Sequence, residues 1–372
     1  AALSEKSVIA DVEAALQDPD TFVVVQHAPS IAVTIGEAFD MPAGTDAAGV
    51  LNAGLHELGF DRVFSTAFSA DLTIMEEASE LVQRVQNGGP LPMMTSCSPG
   101  WIKFVEQFYP DFIPNLSTCK SPQQMLGAVV KSWFAQQAGV DPDKIYSVSV
   151  MPCTAKKFEA RRPEMAHDRR PDVDAVLTTR ELVKVLHKYG IDLNGLDPRA
   201  ADDPLGRRSS AGRIFGVTGG VMEAAIRTAY HLLTGDDLTE LVVKDVRGLN
   251  EVKEARLSIN DLDVGVAVAH GLGNARKLLE QVRNGRSDLH FIEVMTCPGG
   301  CINGGGQPLD LDPDRVRRRM QSLYDIDKND SLRLSHHNPA IQQLYREFLG
   351  EPLGHKSHEL LHTTYTQRTE TV

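Results

Sequence analysis

The sequence predicts an α/β fold of mostly parallel sheets flanked by helices, and three observations support this class. Short runs rich in β-branched residues alternate with longer stretches of helical periodicity along most of the chain. Several of these runs end directly in a polar or glycine-bearing turn, which is typical of strands at the ligand-binding edge of a parallel sheet. The chain has 372 residues, 42% of them hydrophobic, and is long enough to bury such sheets.

The predicted elements follow one another in strand–helix order. A polar helix at the N-terminus leads into the first of the predicted strands, which cover 21–26, 62–66, 91–96, 145–151, 174–178, 213–217, 241–246, 265–269 and 290–295. Amphipathic stretches predict helices at 72–86, 179–190 and 273–284. Residues 193–212 are polar and rich in Gly and Pro, which predicts a surface loop. We expect one large unit over 1–372, with lobes at 1–145 and 146–311 and a helical tail at 312–372 that wraps the body.

Composition and charge argue against several functions. The net charge of -12 is unsuitable for a nucleic-acid surface, which needs a basic face. No apolar run is long enough to predict a transmembrane helix, and the N-terminus does not have the pattern of a signal peptide. Five cysteines are an odd and sparse set for a chain of this length. They indicate a reducing compartment and a metal or reactive-thiol function rather than a disulfide framework.

Cys297 and Cys301 lie in the segment EVMTCPGGCINGGGQP, in which five glycines surround the pair. Their spacing lets two thiolates reach one metal centre. The glycines allow close approach of the backbone and leave N–H groups free to face sulfide. Two buried cysteines beside a glycine-rich turn are the alternative.

Two further cysteines lie at the ends of predicted strands. Cys153 is in VMPCTAKKFEA, where Lys156 can donate to an anionic ligand, although a solvated lysine is the alternative. Cys97 precedes Ser98 at the start of a helix, a position that suits a thiol for proton transfer or metal binding. A helix cap is the alternative for Ser98. Thiolates select iron–sulfur, zinc or copper(I) centres, and the lack of zinc-type spacing favours an iron–sulfur cluster.

These motifs resemble the three signatures of the [FeFe] hydrogenases. TSCSPGW resembles the first, Thr-Ser-Cys-Cys-Pro-Gly/Ala-Trp, and MPCTAKKFEA the second, Met-Pro-Cys-x-x-Lys-x-x-Glu. EVMTCPGGCINGGGQP resembles the third, and FSADLTIMEEASE and NLSTCKSPQQMLGA match further family segments. The resemblance extends from about residue 20 to about residue 350. It implies two α/β lobes with an iron–sulfur active site in the cleft between them, and the reversible reduction of protons to H2.

The resemblance implies an H-cluster, in which a [4Fe–4S] cube is joined to a two-iron subsite with CO, cyanide and a bridging dithiolate amine. Cys153, Cys297 and Cys301 would bind the cube, and Cys301 would also bridge to the two-iron subsite. Around that subsite, Lys156 would lie at one cyanide, and the backbone of Ala28 and Pro29 with the hydroxyl of Ser30 would lie at the other. The residues expected along the diatomic ligands are Gln123, Met151, Phe215 and Met295. Core packing is the alternative for the two methionines and the phenylalanine.

The resemblance also implies a route for protons, from Cys97 through Glu77, Ser117 and Glu80. The two glutamates are three residues apart and share one face of a helix. Partly buried carboxyls can take and give protons near neutral pH. Without the resemblance, this acidic stretch predicts a solvated helix face. Cys119 also matches a family position, and we expect it to be a buried structural thiol.

The first signature departs from the family pattern at one position. The family has a proton-relay cysteine followed by a cube-binding cysteine, whereas this chain has Cys97-Ser98. Three explanations stay open: Ser98 binds iron through its oxygen, Cys97 becomes the ligand at the expense of the relay, or the change was introduced to perturb or empty the cube. Each predicts lower H2 turnover than in a Ser98→Cys variant, because ligand identity sets the potential of the cube.

The resemblance implies partners as well. The sequence has no cysteine-rich, ferredoxin-like segment, so electrons are expected from ferredoxin or from upstream iron–sulfur domains. Dedicated maturation proteins would install the two-iron subsite. The tail at 312–372 resembles the family's small subunit fused into one chain, which favours a cytoplasmic enzyme. Alternatives are a non-catalytic, hydrogenase-like protein of iron–sulfur assembly, an H2-sensing domain, and a thiolate metal protein without redox chemistry.

Overall fold

Two four-stranded sheets form the centre of the computed structural model, which describes residues 5–260, 262–309 and 312–369. The first sheet is parallel throughout, in the order Arg62–Ser65 (β2), Phe22–His27 (β1), Ile145–Met151 (β4) and Ala175–Thr178 (β7). The second has the order Met93–Met94 (β3), Phe291–Met295 (β10), Leu262–His270 (β9) and Val252–Ile259 (β8), and only β8 is antiparallel to its neighbour. A small hairpin pairs Ala166–His167 (β5) with Arg170–Pro171 (β6). The predicted α/β class with mostly parallel sheets is confirmed.

Helices cover both sheets, so the central strands are buried on both faces. Val25 in β1, for example, is fully buried and lies opposite Val63 on one side and Val148 on the other. The α-helices are Ile9–Gln17 (α1), Pro29–Ala32 (α2), Ala48–Glu57 (α3), Thr66–Asn87 (α4), Pro99–Phe108 (α5), Pro122–Val129 (α6), Ala135–Ala138 (α7), Ala155–Glu159 (α8), Thr179–Lys188 (α9), Ser210–Arg213 (α10), Gly220–Thr234 (α11), Leu272–Arg283 (α12), Pro313–Asn329 (α13), Pro339–Leu344 (α14) and His355–Leu361 (α15). Within the described ranges, no helix is both long and apolar enough to cross a bilayer.

Two predicted strands are wrong. Residues 213–217 contribute the last residue of α10 and then a 3-10 turn at Ile214–Gly216, and 241–246 is irregular chain that ends in a 3-10 turn at Lys244–Val246. Short apolar runs of this kind do not distinguish a strand from a buried helical turn. Strand β8 was not predicted, because its outward-facing positions are polar and its burial alternates along the hairpin with β9.

The remaining predicted elements correspond to observed ones with small shifts. The strand predicted at 91–96 is reduced to β3, and the helix predicted at 72–86 belongs to the longer α4, which Ser65 caps at its N-terminus through a hydrogen bond from Ala67 N. The predicted loop at 193–212 is irregular apart from a 3-10 turn at Leu193–Gly195 and the start of α10. The sheets do not divide the chain at residue 145, because β3 joins the second sheet whereas β4 and β7 join the first. As a domain boundary, residue 145 stays a prediction, and the predicted ends at 311 and 372 lie outside the described residues.

The tail helices wrap the body, as predicted. Leu323 of α13 packs against Val33, Val217 and Ile302. On the same helix, the fully buried Asp327 accepts hydrogen bonds from both terminal nitrogens of Arg227 in α11, at 2.9 and 2.8 Å. Further along, apolar residues of α14 and α15 join the core cluster around α4 and α6. The tail is therefore an integral part of the fold.

Candidate active site

A pocket lies where the carboxyl ends of β1, β3, β4 and β10 meet. Ligands of parallel sheets bind at this edge. The pocket brings together predicted site residues from six separate stretches of the chain, namely Ala28, Pro29, Ser30, Cys97, Ser98, Gln123, Met151, Cys153, Lys156, Phe215, Met295, Cys297 and Cys301. The other three predicted site residues, Glu77, Ser117 and Glu80, do not line the pocket and are buried.

Close backbone contacts bring the cysteines together. Cys153 follows β4, whereas Cys297 and Cys301 lie on the loop after β10. Gly304 fits against the first segment because a Cβ there would lie 2.3 Å from the carbonyl oxygen of Pro152. Gly300 has a positive φ of 95°, a conformation that glycine adopts readily. The glycines of the third signature therefore allow the loop that contains Cys301 to lie against the chain next to Cys153.

The three thiols are not arranged as the ligands of a single metal ion. A single tetrahedral ion with sulfur bonds of about 2.3 Å would hold its thiolates about 3.8 Å apart. Among the described residues, two groups of three or more ligand atoms lie within 4.8 Å of one another, and neither contains Cys153, Cys297 or Cys301. Burial raises the pKa of Cys153 to about 11 and that of Cys301 to about 12. Binding of a cluster must therefore displace thiol protons.

Lys156 is the cation of the pocket wall. It is largely buried, and its Nζ donates to the carbonyl oxygen of Cys97 at 3.0 Å and to Glu159 Oε2 at 2.9 Å. Gln123 donates to the same carboxylate oxygen at 3.1 Å and accepts from Ser149 Oγ at 2.7 Å. These contacts fix both side chains at the pocket. A buried cation there is suited to an anionic ligand.

Ser30 provides a donor without a protein partner. Its side chain is fully buried, its hydroxyl makes no hydrogen bond to any residue that the structure describes, and the residue lines the pocket. Buried hydroxyl groups are normally hydrogen-bonded, so this one indicates a ligand in the pocket. The thiols, Lys156 and Ser30 together fit an iron–sulfur group with anionic ligands.

Ser98 lies at the N-cap position of α5, but its side chain does not cap the helix. Its Oγ instead lies 2.6 Å from Thr296 Oγ1, next to Cys297 in sequence. The helix-cap interpretation is therefore wrong for the hydroxyl, although Pro99 does occupy the first helical position. The oxygen lies in the pocket wall together with the three cysteines.

A chain of buried carboxyls leads away from the pocket along α4. Glu77 is fully buried, and one of its oxygens has no hydrogen-bond partner in the described part of the chain. Burial together with the nearby charges of Glu80 and Glu293 raises its pKa to about 8. Ser117 Oγ donates to Glu80 Oε2 at 2.8 Å, and Arg84 Nη2 lies 2.6 Å from the other oxygen of Glu80. The acidic stretch of α4 is therefore not a solvated face.

The thiol of Cys97 lies at the pocket end of this chain. Burial raises its pKa well above the usual range, and the charge of Glu77 adds to that rise. Cys119 is fully buried, with its sulfur 3.8 Å from Glu80 Oε2, as expected for a buried thiol.

Sequence reasoning assigned no role to Glu159, Arg84 or Thr296. The three-residue spacing of Lys156 and Glu159 on one helix was a usable signal. Arg84 follows Glu80 by four residues, which is also helical pairing distance. Thr296 gave no signal beyond its position beside Cys297, because its contact with Ser98 joins residues that are 198 positions apart.

Comparison with known families agrees with this site. Residues 21–305 match the iron only hydrogenase large subunit, C-terminal domain, and residues 313–368 match the iron hydrogenase small subunit. The chain belongs to the iron-only, or [FeFe], hydrogenase family. The family carries an H-cluster, a [4Fe–4S] cube with a two-iron subsite.

Individual relatives include catalytic and assembly proteins. The chain is 49% identical over 374 residues to the NADP-reducing hydrogenase subunit HndD of Solidesulfovibrio fructosivorans, covering 99% of this chain and 64% of that protein. An apo [FeFe]-hydrogenase structure from Chlamydomonas reinhardtii has a TM-score of 0.87 and 42% identity, covering 98% of this chain and all of that one. Cytosolic iron-sulfur assembly component 3 of Bos taurus is 33% identical over 378 residues, covering 97% of this chain and 77% of that protein. The chain thus spans just under two thirds of the hydrogenase subunit HndD.

Proposed function

We propose that this chain is the catalytic domain of an [FeFe] hydrogenase that interconverts two protons and two electrons with H2. The observation that carries the proposal is that a soft-metal pocket and a chain of buried carboxyls meet at Cys97. A storage or assembly site for a cluster needs the thiols alone. A hydrogenase needs, in addition, a group that delivers protons to the metal.

Cys153, Cys297 and Cys301 would hold the cube, and Cys301 would also join it to the two-iron subsite. Lys156 and Ser30 would donate hydrogen bonds to the cyanides, and the backbone at Ala28 and Pro29 would lie beside one cyanide. The residues that would surround the diatomic ligands are Gln123, Met151, Phe215 and Met295. When bound, the H-cluster supplies the redox centre at which protons and electrons are combined. The protein excludes water from that centre, because most of these residues are buried.

Ser98 would supply the fourth ligand of the cube through its oxygen. Its hydroxyl lines the pocket, makes no cap, and lies within hydrogen-bond distance of Thr296, whose O–H can donate to a metal-bound serine oxygen and stabilise it. Cys97 is the weaker candidate, because Lys156 binds its carbonyl oxygen and its thiol lies near Glu77. An oxygen ligand is harder to deprotonate than a thiol, so we expect a less stable cube and impaired turnover.

Protons would move between Cys97 and the surface through Glu77, Ser117 and Glu80. The Cys97 thiol is protonated at neutral pH and can donate, and Glu77, with a pKa of about 8, exchanges protons in the same range. Ser117 passes a proton by accepting on one side and donating to Glu80 on the other. Arg84 holds Glu80 and reaches the exposed carbonyl oxygens of Pro90 and Pro114.

Partners and location follow from the same proposal. Electrons would come from ferredoxin or from iron–sulfur domains upstream, and maturation proteins would install the two-iron subsite. The acidic chain would bind neither nucleic acid nor membrane. A cytoplasmic location agrees with five free cysteines among the described residues.

The test is an H2 assay on anaerobically reconstituted protein loaded with the two-iron subsite. We expect infrared bands of iron-bound CO and cyanide together with H2 evolution. Glu77→Gln should lower the rate by roughly 10²–10⁴-fold while the infrared bands persist. The exposed Glu57→Gln is the matched control and should retain the wild-type rate.

The identity with the iron–sulfur assembly protein favours one alternative, a non-catalytic cluster protein. In that case the cube would assemble, but no CO or cyanide bands would appear after exposure to the two-iron subsite. Bands without H2 evolution in the wild type would contradict catalysis directly.

A further inference from the structure

Three histidines and one aspartate converge at a point away from the active-site pocket. His231 lies in the last turn of α11, Asp237 lies in the loop that follows, and His336 and His337 lie in the turn before α14. Asp237 Oδ1 is 3.1 Å from His231 Nδ1 and 2.9 Å from His336 Nε2, and Oδ2 is 2.8 Å from His337 Nε2. The rings of His231 and His336 stack with centroids 4.2 Å apart.

The contacts around the cluster allow its ring nitrogens to act as ligands. His336 Nδ1 lies 3.0 Å from Thr228 Oγ1, and the tautomer with its proton on Nδ1 donates to that hydroxyl and leaves the Nε2 lone pair free for a cation. His231 Nδ1 is shielded from solvent and lacks a hydrogen bond of good geometry to any described residue. His231 Nδ1, His336 Nε2 and one oxygen of Asp237 all lie within 4.8 Å of one another. A cation between these three atoms would take the place of the imidazole protons that otherwise face the carboxylate.

We propose that His231, Asp237 and His336 bind a divalent first-row transition-metal ion of the Zn²⁺ type. Two imidazoles and a carboxylate are a common ligand set for such ions, with water in the open position. Asp237 is partly exposed, which leaves room for that water. His337 holds the second oxygen of Asp237, and Thr228 holds the ring of His336, so both act as outer partners of the ligands.

The ion would tie α11 to the tail. His231 and Asp237 belong to the body of the protein, whereas His336 follows α13, and the two segments are about a hundred residues apart in sequence. A metal that binds the folded chain and not the unfolded one stabilises the fold according to its concentration. The site is independent of the H-cluster, because none of its residues lines the active-site pocket.

The test uses the iron–sulfur-loaded full chain dialysed against buffered Zn²⁺, with metal counting and zinc-edge X-ray absorption. We expect one zinc per chain with only nitrogen and oxygen neighbours at about 2.0–2.2 Å. His231→Gln and Asp237→Asn should each lose this zinc. Thr228→Val should weaken binding roughly 10–100-fold. His167→Gln, a change at a partly exposed histidine on β5, is the matched control and should bind as the wild type does.

Zinc held by the cysteines would instead show sulfur neighbours at about 2.3 Å and would persist in His231→Gln. That result, or equal zinc content in the wild type and in Asp237→Asn, would overturn the proposal.

Discussion

Replacing Glu77 by glutamine should change how the stability of the fold depends on pH. Glu77 is fully buried on α4, and its pKa of about 8 lies well above the ordinary value of 4.5 for a glutamate. Burial is the main cause, and the charges of Glu80 on the same helix and Glu293 on β10 add to it. The folded chain therefore holds a proton that the unfolded chain has already lost above pH 4.5.

The sign and size of the effect follow from proton linkage. Between the two pKa values the folded state binds more protons, so stability falls as pH rises and the contribution is gone above the folded pKa. From about pH 6 to pH 8 the fall is two pH units at about 1.36 kcal/mol each, or about 2.7 kcal/mol. Glutamine is neutral and of similar shape, so the variant should lack this fall.

The assay is urea unfolding of the cluster-free chain at several pH values between 6 and 9, at constant ionic strength. The wild type and Glu77→Gln are compared by the difference in their unfolding free energies at each pH. Other buried carboxyls, such as Asp71 and Asp172, contribute equally to both proteins and cancel in this difference. The difference should grow by about 2.7 kcal/mol over this range in favour of the variant. The unfolding free energy of Glu57→Gln, a change at an exposed position, should depend on pH in the same way as that of the wild type. Parallel curves for wild type and Glu77→Gln would refute the reasoning.

Three further predictions concern packing and the cluster. Asp327→Leu removes a carboxylate partner of the fully buried Arg227 and should lower the unfolding free energy by about 3 kcal/mol or more. Asp325→Asn, at an exposed position on the same helix, should lower it by less than about 0.5 kcal/mol. Gly304→Ala places a Cβ 2.3 Å from a carbonyl oxygen beside the pocket and should lower iron content after reconstitution, whereas Gly273→Ala meets no atom within 4 Å and should not. Ser98→Cys should raise iron content and H2 turnover above wild type, since thiolate binds iron better than a serine oxygen. Equal unfolding free energies for the two aspartate variants, equal iron contents for the two glycine variants, or equal values for Ser98→Cys and wild type would contradict these expectations.

Much of the fold could be predicted because parallel strands leave a local signal. Strand β4 matches its prediction residue for residue, since apolar and β-branched residues alternate with small serines over its whole length. Strand β8 could not be found in this way, because its outer face is polar. The run 213–217 was misjudged, because its apolar residues pack in helical and 3-10 turns.

The candidate site was predictable where its residues are close in sequence. Cys297 and Cys301 lie in one glycine-rich segment, and Glu77 and Glu80 share one helix face. The contact of Ser98 with Thr296 and the grouping of His231 with His336 depend on tertiary packing. A single sequence carries no local signal for such pairs, because the residues that meet are about 100 to 200 positions apart.

The central claim is that three cysteines and Ser98 hold a four-iron cube in this pocket. The most direct measurement is the iron and sulfide content after anaerobic reconstitution, with an EPR spectrum of the reduced protein. We predict about four irons per chain and the signal of a reduced [4Fe–4S] cluster. Cys153→Ser should lose most of this iron. A wild-type protein without a cluster, or with a three-iron signal, would contradict the claim and identify the chain as a hydrogenase domain unable to hold its cube.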